Sequence, residues 1–233
     1  MRILLAETSW HSATAAADLR KSGFLVTAVN DGSELMEFAT DSAQSAIILE
    51  MNLPDMDGFD LVSKLRAADS KMPIFVLAEE GDWDFSKRLF ELGADDVLVG
   101  KFSPAELAER VRAAVRRSGG YGTVTLQVGD LAVNTRDQSA TFAGQPIKLT
   151  RKEYEIVEML ALNRDRMVSR DEIMAQLYAW EDEPAARILN VYLSRIRSQI
   201  AGAGGVPEVL QTVWGLGYRL HSSAEAASRT QAA

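Results

Sequence analysis

The sequence predicts an α/β fold in two parts, a doubly wound parallel sheet of five βα units followed by a smaller α+β unit. Three observations predict it. Over residues 1–117, short apolar runs alternate with amphipathic helical patterns, the signature of a parallel sheet covered on both faces. The composition then breaks at SGGYG (118–122), whose glycines extend no helix and read as a short flexible linker. From 123 to 149 the apolar runs shorten and alternate between turn residues, as in a small antiparallel sheet, before helical periodicity resumes. The second domain is therefore expected over 123–221, and the tail 222–233, with nothing to bury, is expected to be disordered.

Taken in order, the first five strands are expected at 2–6, 24–28, 46–50, 73–78 and 96–99, with helices near 10–22, 32–40, 58–68, 83–92 and 104–117. The last of these helices has the firmest start, with Ser103 as N-cap, Pro104 at the first helical position and Glu106 three residues after the cap. In the second part, turns at Gly129/Asp130, 135–138 and Gly144/Gln145 divide the strands. Thr150 with Glu153 and Ser169 with Glu172 form two Ser/Thr-x-x-Glu boxes ahead of apolar-periodic runs, and so start two helices. A third helix is expected from near Pro184 to about Ile200. AGAGGVP ends it, and VLQTVWGLGYRL reads as a two-stranded hairpin turning through 215–217.

Composition narrows the chemistry. The 233 residues carry a formal net charge of −8, with 47% hydrophobic and 25% charged residues, which fits a globular protein of one or two domains. The absence of Cys removes disulfides, thiolate nucleophiles and Cys-based zinc sites. Two His, His11 and His221 near opposite ends, leave little for a His-ligated metal or a His-centred triad. These counts make much of enzymology unlikely, and with Ala6, Glu50, Ala78 and Gly100 at the strand ends no catalytic residue, metal or cofactor is expected. No apolar run approaches the ~18 residues of a membrane span, and the opening MRILLA stops at Glu7 before a signal-peptide core forms. The expectation is a mature cytoplasmic chain with no membrane partner.

An acidic balance argues against nucleic acid until the charge is divided by region. Residues 1–117 hold 13 Lys/Arg against 20 Asp/Glu, whereas 118–233 hold 12 against 13. Nothing from 184 to 207 is acidic, yet that stretch carries Arg187, Arg195 and Arg197. A basic patch is hidden in the total.

In doubly wound sheets, function collects at the carboxyl ends of the strands. Here those ends present Glu7, Glu50 followed by NLPDMDG (52–58), Ala78 and GKF (100–102), with GADD (93–96) before the last strand. This layout resembles a response-regulator receiver domain, and 118–221 resembles the winged-helix DNA-binding domain of the OmpR/PhoB family. LTRKEYEIVEML (149–160), VSRDEI (168–173), NVYLSRIR (190–197) and TVWGLGYRL (212–220) occur in that family's order and spacing. The resemblance implies a (βα)5 receiver followed by a winged helix-turn-helix domain, in a transcription regulator rather than an enzyme.

Receivers of that family use two adjacent acids after the first strand and an Asp ending the third to hold Mg²⁺ and accept a phosphoryl group; Mg²⁺ demands hard oxygen ligands. In this sequence the acid pair is Ala6 and Glu7, and the acceptor position is Glu50. Glu is one methylene longer than Asp, which places its carboxylate beyond in-line geometry. The family's Thr/Ser after the fourth strand is Ala78, and its Lys at the end of the fifth strand is Gly100, with Lys101 displaced by one. Its switch aromatic is Val97. Together these changes remove the parts that phosphoryl transfer relies on. Two readings of Glu50 stay open: a permanent negative charge paired with Lys101, or a solvated carboxylate in an unused pocket. A competing function is conventional phosphotransfer, with Glu50, Asp55 or Asp57 as acceptor and Mg²⁺ on Glu7.

The resemblance also implies dimerisation through the fourth helix, fifth strand and fifth helix, at positions matching Arg88, Glu91, Asp95, Asp96, Glu106 and Arg110. A constitutive homodimer would match paired DNA half-sites. On the third helix of the second domain, Arg187, Val191, Ser194, Arg195 and Ser198 share or border one face, with Tyr192 beside them, while Ile188, Leu189, Leu193, Ile196 and Ile200 form the apolar face. Arg195 suits bidentate readout of guanine O6 and N7. Arg187, Arg197 and Ser194 suit phosphates. In the hairpin, Thr212 and Tyr218 match phosphate-contacting or packing positions, and Trp214 replaces the commoner Arg. Trp214 is open to three roles: lying on the sugar backbone, wedging, or packing. The stretch LYAWEDEPAARILNV (177–191) resembles the CtrA-type regulators of the family, in which this region can touch RNA polymerase, at positions matching Trp180 and Glu181. The partners implied are double-stranded promoter DNA, a second copy of the chain and RNA polymerase. The remaining alternative is a protein-interaction adaptor whose second domain binds no DNA.

Overall fold

A computed structural model describes residues 1–40, 44–68, 70–81, 83–178 and 187–222, in two compact units that divide between Ser118 and Gly119. The first unit runs β1 (Arg2–Ala6), α1 (Trp10–Lys21), β2 (Leu25–Val29), α2 (Gly32–Phe38), β3 (Ala46–Glu50), α3 (Gly58–Ala67), β4 (Ile74–Ala78), α4 (Trp83–Leu92), β5 (Asp96–Val99) and α5 (Pro104–Ser118). Its five strands are parallel in the order β2-β1-β3-β4-β5. β1, β3 and β4 are buried at every position, which is why they read as unbroken apolar runs and not as alternating ones. β2 lies one residue later than the sequence suggests, because the Phe24 N–H closes the end of α1 on the Leu19 carbonyl and pairing with β1 begins at Leu25. Ser103 starts α5 by accepting the Glu106 N–H at 3.1 Å.

The second unit opens with an antiparallel sheet of β6 (Thr125–Val128), β7 (Leu131–Asn134), β8 (Ser139–Phe142) and β9 (Gln145–Ile147). α6 (Arg151–Leu162) and α7 (Arg170–Leu177) start on reciprocal capping boxes, Thr150 with Glu153 and Ser169 with Glu172. α8 (Ile188–Gly202) begins later than near Pro184, with Arg187 at its cap and no side-chain cap bond. Pro184, together with Trp180, Glu181 and the tail from 223 on, lies outside the described residues. A short 3-10 turn (Pro207–Val209) leads into the hairpin of β10 (Leu210–Val213) and β11 (Gly217–Leu220). One apolar cluster joins the sheet, the three helices and the hairpin, with Leu126, Leu131, Ile156, Val157, Leu193 and Ile196 at its centre.

The segment 118–122 is not the free connector its glycines suggest. Ser118 closes α5, and Tyr121 is buried in the second unit's core, its hydroxyl donating to the Ala161 carbonyl at 3.0 Å. Burying one aromatic ring outweighs the conformational freedom of the flanking glycines.

The hairpin is tied to the helices at Tyr218, whose backbone exchanges two hydrogen bonds with Val168 at 2.8 and 2.9 Å. Gly217 makes that approach possible: its φ is +140°, and a Cβ there would sit 2.2 Å from the Val168 carbonyl oxygen. Gly217→Ala is expected to lower the thermal midpoint and to cost well over ~1 kcal/mol, because the obstacle is backbone. Thermal unfolding followed by circular dichroism checks it; an unchanged midpoint refutes the tie.

Candidate nucleic-acid interface and strand-end pocket

The carboxyl ends of β1, β3 and β4 open on a cleft of about 620 Å³ lined in part by Ser9, His11, Glu50, Asp57, Ala78 and Glu79. Glu50 ends β3 and is only 9% exposed. Its carboxylate accepts from the Thr8 and Ser9 hydroxyls, each at 2.5 Å. Both donors belong to the β1–α1 loop, which is pinned in turn: Ser9 Oγ caps α1 by accepting the His11 N–H, and Ser12 Oγ accepts the N–H of Thr8 and of Ser9. A buried carboxylate needs such donors, and this one has them from the chain itself.

This arrangement corrects the surroundings expected of Glu50. The residue is not a solvated carboxylate. Nor does it pair with Lys101, which is exposed and makes no ion pair among the described residues. Gly100 has a φ of +72° and its N–H donates to the Ala78 carbonyl at 2.8 Å. A Cβ there would meet only the Glu79 carbonyl oxygen at 3.8 Å, so the backbone angle, and not space, is what disfavours a Lys at this position.

Three other acids near the cleft are engaged separately. Glu7 lies 3.8 Å from the Arg20 guanidinium. Asp55 reaches across to α2, accepting the Gly32 N–H, the Ser33 N–H and the Ser33 hydroxyl at 2.6–2.9 Å. The Ser33 hydroxyl, followed by the Gly32 amide, holds its carboxyl below the ordinary carboxylate value. Asp57 caps α3 by accepting the Asp60 N–H at 2.8 Å. Among the described residues no three acidic or His side chains converge as a metal site. With Ala6 buried at the end of β1 where an acid would be needed, and with both Glu50 oxygens engaged by hydroxyls, this donor set does not fit Mg²⁺. Ala78 is buried at the end of β4, and Val97 packs half-buried on the sheet's core.

On the α4–β5–α5 face, Arg110 bridges Asp96 at 2.9 Å and Glu106 at 2.8 Å, and Lys87 faces Glu91 at 3.8 Å. Two of the expected interface charges, both exposed, also have partners within their own unit. Asp95 binds Arg66 at 2.6 Å and accepts the Ile74 N–H, and the Arg88 guanidinium stacks 4.2 Å above the Phe59 ring. Trp83, Phe90 and Val99 stand exposed on α4 and β5.

The second unit carries the basic face. Along α8, Leu189, Leu193, Ile196 and Ile200 are buried, while Arg187, Val191, Ser194, Arg195 and Ser198 are exposed on the opposite side. The 3.6-residue period alone sorts these two faces. Asn190 joins the exposed face and was missed by reading for basic residues; a carboxamide that can bind adenine N6 and N7 is the signal that finds it. Arg195 is largely free, its side chain 63% exposed, with one guanidinium nitrogen 3.9 Å from Glu153.

Four expected DNA contacts, Arg197, Thr212, Tyr192 and Tyr218, are used within the fold. Arg197 donates through Nε and Nη2 to the Leu210 carbonyl at 3.0 and 2.8 Å and through Nη2 to the Thr212 hydroxyl at 2.7 Å, so it clamps β10 to α8. Burial pushes its pKa down from the ordinary guanidinium value. Tyr192 is half-buried and shares a 2.9 Å hydroxyl contact with Tyr178, whose pKa burial and that bond raise to about 12. Tyr218 is buried in the core, which leaves it a packing role. Trp214 does the reverse: it is 91% exposed at the hairpin tip, next to the exposed Leu216, so the packed alternative does not hold.

Comparison with known proteins gives a consistent result. Residues 3–112 match the family described as "Response regulator receiver domain", and residues 144–220 match "Transcriptional regulatory protein, C terminal". The "Cell cycle transcriptional regulator CtrA" of Caulobacter vibrioides (strain NA1000 / CB15N) is 32% identical over 226 residues, covering 97% of this chain and 98% of its own. The "Cell cycle response regulator CtrA" of Brucella ovis is 33% identical over 221 residues, covering 94% and 95%. Among solved structures, the response regulator DrrB, a Thermotoga maritima OmpR/PhoB homolog, is 24% identical with a TM-score of 0.44, covering 95% of this chain and 99% of that one.

Proposed function

The chain belongs to the response regulators of the OmpR/PhoB and CtrA type, DNA-binding transcription regulators, and from that premise we propose that its receiver works without phosphorylation, as a constitutive dimerisation domain for the winged helix. The observation that carries this reading is the buried Glu50 carboxylate, held by the Thr8 and Ser9 hydroxyls where a phosphoacceptor would stand open to Mg²⁺ and phosphate. Asp55 and Asp57 are poor substitutes as acceptors, because Asp55 is already bound by the first amides of α2 and the Ser33 hydroxyl, and Asp57 caps α3. The exposed Trp83, Phe90 and Val99 on α4 and β5, and the charged Glu91, Asp96, Glu106 and Arg110 on α4, β5 and α5, supply apolar and charged groups for an isologous contact between two copies. No helix among the described residues is long and apolar enough to cross a membrane.

In this reading α8 enters the major groove of promoter DNA. Arg195 reads a guanine, Val191 lies one turn before it, Asn190 borders the far side of the exposed face, Arg187, Ser194 and Ser198 position the helix on phosphates, and the tip at Trp214 and Leu216 approaches the adjacent backbone or minor groove. Arg197, Thr212, Tyr192 and Tyr218 support that surface from behind.

One experiment tests the proposal. The full chain is incubated with acetyl phosphate and Mg²⁺, then followed by intact mass, light scattering and fluorescence anisotropy on promoter duplexes. The expected result is no acid-labile phosphoryl adduct, a dimer before and after, and unchanged DNA affinity. A stoichiometric adduct, or a monomer that dimerises only after treatment, overturns it.

A further inference from the structure

Glu153 is 3% exposed, on a helix that packs against α8. One of its oxygens is committed: Oε2 accepts the Thr150 N–H at 2.8 Å and completes the capping box of α6. The other, Oε1, is buried without a hydrogen-bond partner. Capping explains one oxygen and leaves the second unexplained, since a buried carboxylate oxygen with no donor is costly. The cation nearest to it is the Arg195 guanidinium, with Nη1 at 3.9 Å, too long for a hydrogen bond and within reach of a small rotation of either side chain.

Arg195 is also the residue on the exposed face of α8 best suited to a base edge. An unrestrained arginine samples many rotamers, so fixing it on one base carries a large entropic cost. A guanidinium offers five donors in a planar fork. If one edge is held by a carboxylate behind it, the remaining donors point outward as a rigid bidentate pair. We propose that Glu153 is a positioning residue for DNA readout: its free oxygen takes one edge of the Arg195 guanidinium when DNA excludes water from α8, and so orients the other edge toward guanine O6 and N7. This rests on the reading of Arg195 as the base-contacting residue. Glu153 itself touches no DNA.

The test uses the full chain and a randomised duplex library, from which sequence preference is read by sequencing the bound fraction, with affinities then measured by anisotropy on cognate duplexes and on duplexes altered at each guanine. Glu153→Gln keeps the capping box, which accepts Gln as readily as Glu, and removes the charge that orients Arg195. Its preference for one guanine is expected to fall about 3- to 10-fold, with an unchanged thermal midpoint and without loss of non-specific binding. Arg195→Ala is expected to lose the same guanine column by about 5- to 150-fold, and adding Glu153→Gln to Arg195→Ala is expected to change nothing further. A merely structural role would lower the midpoint and weaken all sequences together, and a merely repulsive carboxylate would strengthen all sequences together on removal; either result overturns the proposal. If Arg195→Ala loses the guanine and Glu153→Gln does not, the positioning role fails while the readout stands. If Arg195→Ala leaves every column unchanged, both fail.

Discussion

Arg197→Ala is expected to destabilise the second unit by about 2–3 kcal/mol and to weaken DNA binding without changing its salt dependence. The side chain donates to the Leu210 carbonyl through two nitrogens and to the Thr212 hydroxyl through one of them. Hydrogen bonds from a charged donor contribute more than neutral ones, and truncation leaves the buried Leu210 residue with an unsatisfied carbonyl. The clamp joins α8 to β10, so its loss frees the hairpin tip and, on the proposed reading of α8, blurs the surface offered to DNA. Binding should weaken because the surface is less well ordered, and not because a phosphate contact is gone. Thermal unfolding and anisotropy over a salt series separate the two. A lower midpoint with an unchanged slope supports the clamp, whereas an unchanged midpoint with the salt slope reduced by about 1 would return Arg197 to the phosphate backbone.

Glu50→Ala is expected to cost the first unit about 1.5–3 kcal/mol. The carboxylate ties the end of β3 to the β1–α1 loop through Thr8 and Ser9, and Ser9 in turn caps α1. The lower part of the range applies if the two hydroxyls, which lie near the surface, find water. Glu50→Gln, which can still accept from one hydroxyl, should fall between Ala and the parent chain. Urea unfolding with hydrogen exchange at residues 7–12 reads the effect where it arises. Neutral substitutions at Glu50 with unchanged exchange would mean that the hydroxyl clamp contributes nothing, and the argument against an open phosphoacceptor pocket would weaken with it.

Much of this molecule is legible in local sequence. The parallel sheet follows from apolar runs in β1, β3 and β4 that are buried on both faces, and the starts of α5, α6 and α7 follow from capping residues that satisfy their own helix. The two faces of α8 follow from a period of 3.6 residues. The substitutions at Ala6, Glu50, Ala78 and Gly100 are equally plain as residue types at strand ends.

What the side chains bind is another matter. Arg195 and Arg197 are two residues apart and chemically identical, yet one faces outward and the other is drawn back to Leu210, thirteen residues further along the chain. Thr8 and Ser9 carry no sequence signal beside the missing acid at Ala6, although they are what holds Glu50, some forty residues away. Tyr121 sits in a glycine-rich stretch and is nonetheless core. Sequence by itself determined the fold class and the elements, because periodicity and capping act over a few residues. The tertiary structure decided which charges and hydroxyls satisfy one another and which remain for a partner, because burial makes an unpaired polar group costly and its partner is chosen by proximity in space.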